Sequence, residues 1–356
     1  MKKMSKKNKT NLITYGMVLV FYLIMQGLMM SGHMSSLMKG LMVPLCYYMI
    51  LAVSLNIVVG ASGELSLGHA GFMCIGAFTG AIFAVTGGKN LPPMLEIVIA
   101  IILGALVAAV FGFLIGIPVL RLKGDYLAIV TLAFGEIIKN VVSAVFVGLD
   151  SAGFHFSLKD SMSLNLLEGG EVIINGPQGI TGLPRNATFT IGIILVFIAL
   201  FISLNLLNSR HGRAIMAIRD NRIAAESIGL SVSKYKMMAF VISAALAGAA
   251  GVLYSHNLST IQATSKNFGY NQSIMILVFV VLGGIGNIRG SLIAAVVLTI
   301  LPEKLRFLSD YRMLIYAIVL IAIMLLNSAP KAVQWRSQML DRLHAKKKVK
   351  EISKNE

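Results

Sequence analysis

Charged residues are scarce in this chain, and their scarcity excludes most soluble folds. Asp, Glu, Lys and Arg make up 13% of its 356 residues, whereas 56% are hydrophobic and the mean hydropathy is +0.81. Soluble domains carry about 25% charged residues. Apolar runs of about 20 residues, which are long enough to cross a bilayer as a helix, recur along the chain. The composition therefore predicts an all-α, polytopic helical bundle embedded in a membrane.

The motifs of enzyme chemistry are also missing. The two cysteines, Cys46 and Cys74, each lie inside an apolar run, which excludes a disulfide framework and a zinc-ligand spacing. The sequence contains no ATP-binding loop of the pattern G-x-x-x-x-G-K-[ST] and no nucleophile elbow. The stretch GGIGNIRG (283–290) has the wrong glycine spacing for a dinucleotide loop. We expect a chain that is not an enzyme and holds neither a metal ion nor a cofactor of its own.

Lysine and arginine are concentrated outside the apolar runs, above all near the two ends of the chain. The net charge is +16, with lysines grouped in 2–9 and lysines and arginines in 331–356. Basic tails beside membrane helices follow the positive-inside bias and attract anionic lipid headgroups, so we expect lipid as a partner and no nucleic acid. We predict cytoplasmic tails at 1–11 and 331–356 around a membrane domain at 12–330.

The apolar runs predict nine or ten membrane helices, some of them short or broken. Their approximate ranges are 12–30, 41–60, 65–86, 95–118, 125–147, 189–208, 237–257, 272–287, 290–301 and 312–328. Alternate crossings from a cytoplasmic N-terminus place the basic segment 209–236 and the C-terminus inside, and the long segment 148–187 outside. This outer segment is either a plain connector or a docking or gating element. Residues 272–301 are either two short passes or one broken unit.

Two glycine-interrupted stretches resemble each other and form a weak internal repeat. They are NIVVGASGELSLGHAGF (56–72) and FVVLGGIGNIRGSLIAA (279–295). Paired interruptions of this kind in transporters mark broken helices beside the substrate path, since irregular backbone at membrane depth must be buried in protein or line water. Tight turns at the cytoplasmic face are the alternative. The candidate pathway residues are Ser66, Gly68, His69, Gly283, Gly284 and Asn287.

The segment 213–229, RAIMAIRDNRIAAESIG, is predicted to be one short amphipathic helix that ends at Gly229. A helix of this kind between two spans suits the groove of a partner protein, or it lies among lipid headgroups. We take it as a coupling helix. Its candidate residues are Arg213, Arg219, Asp220, Ala224, Ala225, Glu226 and Gly229.

Glu136 and Lys139 lie inside the predicted span 125–147 and are three positions apart, so they share a helix face. They form either a structural ion pair or part of the substrate path. The glycine pairs Gly76–Gly80 and Gly112–Gly116 are typical of closely packed membrane helices.

Six blocks of the chain, in matching order, resemble the membrane permease subunits of ABC importers for branched-chain amino acids, the LivM type. The resemblance covers about 40–330. Its blocks are GELSLGHAGFMCIGAF (63–78), LKGDYLAIVTLAFGEI (122–137), GPQGITGLP (176–184), RHGRAIMAIRDNRIAAESIG (210–229), KMMAFVISAALAGAAGVLY (236–254) and SIMILVFVVLGGIGNIRGSLIAAVVLTILPEKLR (273–306).

The resemblance implies a subunit of the bacterial cytoplasmic membrane that imports Leu, Ile and Val by ATP-driven alternating access. The implied partners are a second, LivH-like permease subunit, two cytoplasmic ATPases that bind the ATP, and an extracytoplasmic binding protein. The family's ATPase-docking pattern E-A-A-x-x-x-G matches residues 223–229, with Ile223 in place of glutamate.

Other functions remain open on the residues alone. Related importers of urea, short amides or other amino acids fit the same resemblance. An ion-coupled secondary transporter is the competing class, and it requires an acid or histidine relay deep in a span. Glu136 and His69 are its candidates.

Overall fold

The computed structural model describes residues 6–306 except 33, 90, 123, 152 and 168, together with scattered residues between 311 and 325. The predicted tail at 331–356 lies outside the described residues, and the predicted span 312–328 lies largely outside them. The chain divides into two compact units, 1–296 and 297–356. The fold and site below concern the first unit.

Helices account for most of the described chain. They are α1 (Lys6–Met30), α2 (Ser36–Gly40), α3 (Met42–Asn56), α4 (His69–Val85), α5 (Pro93–Val119), α6 (Asp125–Ala144), α7 (Phe189–Asn208), α8 (Arg210–Asp220), α9 (Arg222–Ser227), α10 (Val232–Ser255), α11 (Ser265–Phe268), α12 (Tyr270–Gly283) and α13 (Ile288–Lys304). A π-helical turn, Ile57–Ser62, continues α3. The helical fold class predicted from composition is confirmed.

Six helical stretches among the described residues are long and apolar enough to cross a membrane. They are Asn11–Met30, Ser36–Ser62, Pro93–Val119, Asp125–Ala144, Phe189–Asn208 and Val232–Ser255. α4, α12 and α13 are shorter, with 17, 14 and 17 residues. The two predicted passes in 272–301 therefore correspond to two short helices separated by a turn. The prediction of a multi-pass membrane protein is confirmed.

The centre of the bundle is α10, which packs against α3, α4 and α5. Glycines let these helices approach closely: a Cβ atom on Gly248 would lie 2.7 Å from the carbonyl oxygen of Gly104, and one on Gly104 would lie 3.0 Å from that of Gly76. A Cβ atom on Gly112 would lie 2.6 Å from that of Ala244. Close packing of this kind supplies the van der Waals contact that holds membrane helices together, because lipid gives no hydrophobic drive.

The long segment predicted as an external loop carries small antiparallel sheets. Three strands, β1 (Phe146–Asp150), β2 (Gly153–Ser157) and β3 (Glu171–Asn175), pair in the order β2-β1-β3. A second pair joins β4 (Ile180–Thr181) to β5 (Thr260–Ile261). The all-α prediction did not include these strands. Glycine at 176, 179 and 182 adopts positive φ, as the turn-rich sequence 175–184 led us to expect.

The helix directions define two ends of the bundle. The end that holds α8, α9 and the start of α10 we call the basic end, because it carries the basic segment 209–236. The C-terminus of α5 also lies here, since Gly116 packs against Met237. We call the opposite end, where β1 follows the last turn of α6, the sheet end.

We predict that Gly248→Val destabilises the purified protein by about 1–3 kcal/mol or more, because the added side chain overpacks the contact with Gly104. The control is Gly27→Val in α1, where a Cβ atom meets nothing within 4 Å. Thermal unfolding in detergent measures both variants. Equal midpoints for the two would contradict the central role of α10.

Candidate functional site

The two glycine-interrupted stretches meet at the basic end. We call this contact the glycine junction, and it comprises residues 57–68 and 283–287. A Cβ atom on Gly60 would lie 2.6 Å from the backbone nitrogen of Gly286, so no larger residue fits there without movement. The two stretches, which resemble each other in sequence, are therefore also in direct contact in the structure.

Asn56, at the end of α3, ties the two halves of the glycine junction together. Its side-chain oxygen accepts a hydrogen bond from the Gly286 N–H at 2.9 Å, and its side-chain nitrogen donates to Ser291 Oγ at 2.7 Å. Asn56 is 2% exposed. Sequence analysis placed Asn56 at the start of the first stretch but gave it no role, since its partners lie more than 200 positions away.

The second half of the glycine junction is the turn between α12 and α13. Gly284 and Gly286 have φ values of 93° and 81°, which favour glycine. Asn287 closes the turn: its N–H donates to the Gly284 carbonyl at 2.9 Å, and its side-chain oxygen accepts from the Gly290 N–H at 3.3 Å. Gly283 packs against the backbone of Gly290. The local geometry of the candidates Gly283, Gly284 and Asn287 is that of a tight turn.

The first half of the glycine junction leads into α4, which begins at His69 and not near residue 65 as predicted. Residues 63–68 are irregular, because Gly63 ends the preceding π-helical turn with φ 72°. Ser66 and Gly68 therefore precede the helix. A Cβ atom on Gly68 would lie 2.9 Å from the carbonyl carbon of Thr131, so α6 packs directly on this backbone.

Polar side chains surround the N-terminus of α4 inside the bundle. His69 Nε2 and Ser54 Oγ are 2.7 Å apart, and the Ala70 N–H donates to Ser273 Oγ at 3.0 Å. Ser66 is 1% exposed, and its hydroxyl has no hydrogen-bond partner among the described residues. An unpaired buried hydroxyl is costly in a folded protein. The start of α4 is thus a buried polar region with one hydroxyl left to bind something else.

An ion pair joins the glycine junction to α10. The carboxylate of Glu64 contacts the ammonium group of Lys236, and their side chains are 11% and 13% exposed. Glu64 belongs to the first glycine-interrupted stretch, and its partner could not be predicted because it is 172 positions away.

The basic segment forms two helices, α8 and α9, and the prediction of a single helix over 213–229 was wrong. The helix is interrupted at Asn221, whose backbone is extended (φ −152°, ψ 104°). The Asn221 side-chain oxygen accepts a hydrogen bond from the Ala224 N–H at 3.0 Å. Asparagine is a preferred N-cap residue. α9 ends as predicted before Gly229, which has φ 85°. We call α8 and α9 with Gly229 the coupling segment, residues 210–229.

The coupling segment has an inner and an outer face. Ile218 and Ala225 lie on the inner face and form a buried apolar cluster with Val232 of α10. Ile223 and Ile228 point outward and are 80% and 75% exposed. Large exposed aliphatic side chains on a short helix are typical of a contact surface for another protein.

The charged residues of the coupling segment are exposed and make mostly local contacts. Arg222 pairs with Glu226 at 2.9 Å on the surface. Arg213 donates to the carbonyl of Asn208 at 3.2 Å. Arg219 pairs with Asp220 at 2.8 Å.

Glu136 and Lys139 form the predicted ion pair, with their charged atoms 2.5 Å apart. Lys139 also donates to Ser265 Oγ at 2.9 Å, and the second carboxylate oxygen of Glu136 accepts from the Tyr270 N–H at 2.7 Å. The carboxylate therefore caps the first turn of α12, where a negative charge is favourable. The pair anchors the start of a short helix within the bundle.

Sequence analysis missed a buried polar cluster at the sheet end. Glu96 Oε1 lies 2.8 Å from His256 Nε2, and its other oxygen accepts from Asn186 at 2.7 Å. Glu96 and His256 are 2% and 1% exposed. No group of three or more His, Cys, Asp or Glu side chains in the described part of the chain is arranged to hold a metal ion.

Most of the chain matches a known protein family. Residues 37–324 match the family described as branched-chain amino acid transport system / permease component. No solved structure matches the chain.

The chain is also similar in sequence to individual permease proteins. The chain is 36% identical over 304 residues to the high-affinity branched-chain amino acid transport system permease protein LivM of Salmonella typhimurium, covering 82% of this chain and 67% of the relative. LivM of Escherichia coli K12 is 35% identical over 302 residues, with the same coverage. The fructose import permease protein FruG of Bifidobacterium longum is 26% identical over 311 residues, covering 84% of this chain and 85% of the relative. Since the family match spans most of its length and includes the glycine junction and the coupling segment, the chain belongs to the family of branched-chain amino acid transport system permease components.

Proposed function

We propose that this chain is the membrane-spanning subunit of an ATP-driven importer of branched-chain amino acids. The observation that carries the proposal is the 36% identity to a LivM permease over 82% of the chain. The glycine junction, the coupling segment and α10 all lie inside the matched range 37–324. Leucine, isoleucine and valine are the proposed substrates.

The orientation follows from charge. The basic end carries Arg210, Arg213, Arg219, Arg222, Lys234 and Lys236 in one segment. Lysine and arginine are enriched on the cytoplasmic side of membrane proteins, so the basic end faces the cytoplasm in this proposal. Both chain termini then lie inside, and the sheet end faces the outside in the bacterial cytoplasmic membrane.

The proposed energy source is ATP, as in the ABC importers that the chain resembles. Partner subunits bind the ATP in this proposal, because the sequence of this chain carries no ATP-binding loop. Two cytoplasmic ATPases contact the coupling segment, and a LivH-like permease subunit completes the membrane part. An extracytoplasmic binding protein delivers the substrate to the sheet end. Closure of the ATPases on ATP moves the coupling segment, and the bundle alternates between outward and inward access.

The outer face of the coupling segment supplies the ATPase contact. Ile223 and Ile228 expose apolar side chains next to the small residue Ala224. An apolar helix face of this kind fits a hydrophobic groove. Glu226 is already paired with Arg222, so the main attraction here is apolar.

The substrate pathway passes the start of α4 and the glycine junction. An amino acid carries a carboxylate, and the N-terminal N–H groups of a helix favour an anion. The unpaired hydroxyl of Ser66 and the His69 side chain lie at this helix end. Because Gly68 has no side chain, its backbone can pack directly against Thr131. In the second half, Gly283, Gly284 and Asn287 form the matching turn.

We expect the purified complex in liposomes to take up labelled leucine, isoleucine and valine only with ATP and the binding protein. Urea, fructose and ribose serve as control solutes, since a related sugar importer would prefer the latter two. Uptake that persists without ATP and collapses with an uncoupler would instead identify an ion-coupled transporter. Uptake of only a control solute would contradict the proposed substrate.

For the pathway, we predict that Ser66→Ala raises the KM for uptake roughly fivefold. This factor corresponds to the loss of one hydrogen bond to the substrate, which contributes about 1 kcal/mol. Thermal stability should not fall, because the hydroxyl has no protein partner to lose. The matched control is Ser203→Ala in α7, whose hydroxyl is also buried and unpartnered. An unchanged KM in Ser66→Ala would remove Ser66 from the pathway.

For the docking surface, we predict that Ile228→Asp reduces co-purification of the ATPases at least tenfold, about 1.4 kcal/mol. A buried, unpaired carboxylate is unfavourable in an apolar groove. Ile228→Leu keeps the apolar surface and should retain the ATPases. Equal recovery of ATPase with both variants would show that the contact lies elsewhere.

A further inference from the structure

Arg219 is the one coupling-segment candidate, among the described residues, whose side chain is hydrogen-bonded to the glycine junction. Its guanidinium donates through one terminal nitrogen to the carbonyl oxygen of Gly60 at 2.7 Å. Its Nε and other terminal nitrogen donate to Asp220 Oδ1 at 3.0 and 2.8 Å. A single planar group thus holds both the end of α8 and the backbone of the π-helical turn.

The carbonyl of Gly60 needs an external donor. It lies in the last turn of a helix, where carbonyl groups lack intrahelical partners. The N–H groups of Gly63 and Glu64 both turn back to Val58 instead. Arginine suits this position, because its guanidinium is always charged and offers several donors in a fixed plane.

The alkyl part of Arg219 is held as well. A Cβ atom on Gly63 would lie 2.5 Å from Arg219 Cγ, and Gly63 has φ 72°, so the chain keeps glycine there for two reasons. The Arg219 side chain is 38% exposed. Its position is therefore fixed from both its alkyl and its charged ends.

Contacts continue from Gly60 into the second half of the glycine junction. Gly60 packs on Gly286, whose N–H is bound by Asn56, and Asn56 in turn binds Ser291 in α13. Displacement of the Gly60 carbonyl therefore acts both on the π-helical turn after α3 and on the turn between α12 and α13. Each contact in this series is a hydrogen bond or backbone contact with little room to stretch.

We propose that Arg219 is the positioning residue that transmits movement of the coupling segment to the two halves of the glycine junction. This rests on the proposed function, in which the coupling segment contacts the ATPases. Arg219 acts inward, on the Gly60 carbonyl, whereas Ile223 and Ile228 act outward, on the ATPase. Docking and transmission are then separate properties of neighbouring residues.

The test uses the complete complex with its ATPases and binding protein in liposomes. We expect Arg219→Ala to retain the ATPases but to lower the ratio of binding-protein-stimulated to basal ATP hydrolysis, and the uptake per ATP, about tenfold, a typical allosteric coupling factor. Arg219→Lys, which keeps the charge but not the fork of donors, should give an intermediate ratio. Arg121→Ala is the control: an exposed arginine between α5 and α6, outside the coupling segment.

The outcomes separate the two proposals. An unchanged ratio in both Arg219 variants overturns the transmission role and leaves the proposed function intact. Loss of the ATPases from Arg219→Ala makes Arg219 a docking residue and also overturns it. If the unmodified chain binds no ATPase, the proposed function itself fails. Should Arg219→Ala not fold, the ratio measured for Arg219→Lys decides the matter.

Discussion

A helix that breaks inside a membrane protein leaves backbone N–H and C=O groups that lipid cannot satisfy, and the candidate site is built around this constraint. The break after α3 exposes the Gly60 carbonyl, which Arg219 binds. The break between α12 and α13 exposes the Gly286 N–H, which Asn56 binds. The same constraint explains Glu136, whose carboxylate caps the start of α12. Arg219, Asn56 and Glu136 thus bind backbone groups at the interrupted helices.

Between these breaks the bundle is a close-packed frame of small residues. α10 contacts α4 and α5 through Gly248, Gly104 and Gly76, where backbones approach directly. Packed interfaces resist continuous deformation and switch between discrete arrangements. In the proposed transport cycle, a frame of this kind carries movement from one end to the other, and the irregular segments 57–68 and 283–287 form the contact that receives it from the coupling segment. The transport subunit therefore combines closely packed helices with two irregular segments.

Several features could be predicted from local pattern alone. Hydropathy found the long helices, since about 20 apolar residues suffice to span a bilayer. Spacing found the Glu136–Lys139 pair, and Gly229 marked the end of α9. The break at Asn221 was missed, because the amphipathic pattern continues through it and only the cap geometry separates the two helices. The strands at 146–181 were missed: β1 and β2 form a short local hairpin, whereas β1 also pairs with β3, and β4 pairs with β5 far along the chain.

The membrane class, the basic segment, the two glycine-interrupted stretches and the family resemblance follow from composition, charge and local spacing, which can be read along the chain. Which groups contact one another depends on how the helices pack. It brought Gly60 onto Gly286, Glu64 onto Lys236 and Arg219 onto the Gly60 carbonyl. These contacts join residues more than 150 positions apart, and no local pattern encodes them. They exist because buried polar groups must find partners once the helices have packed.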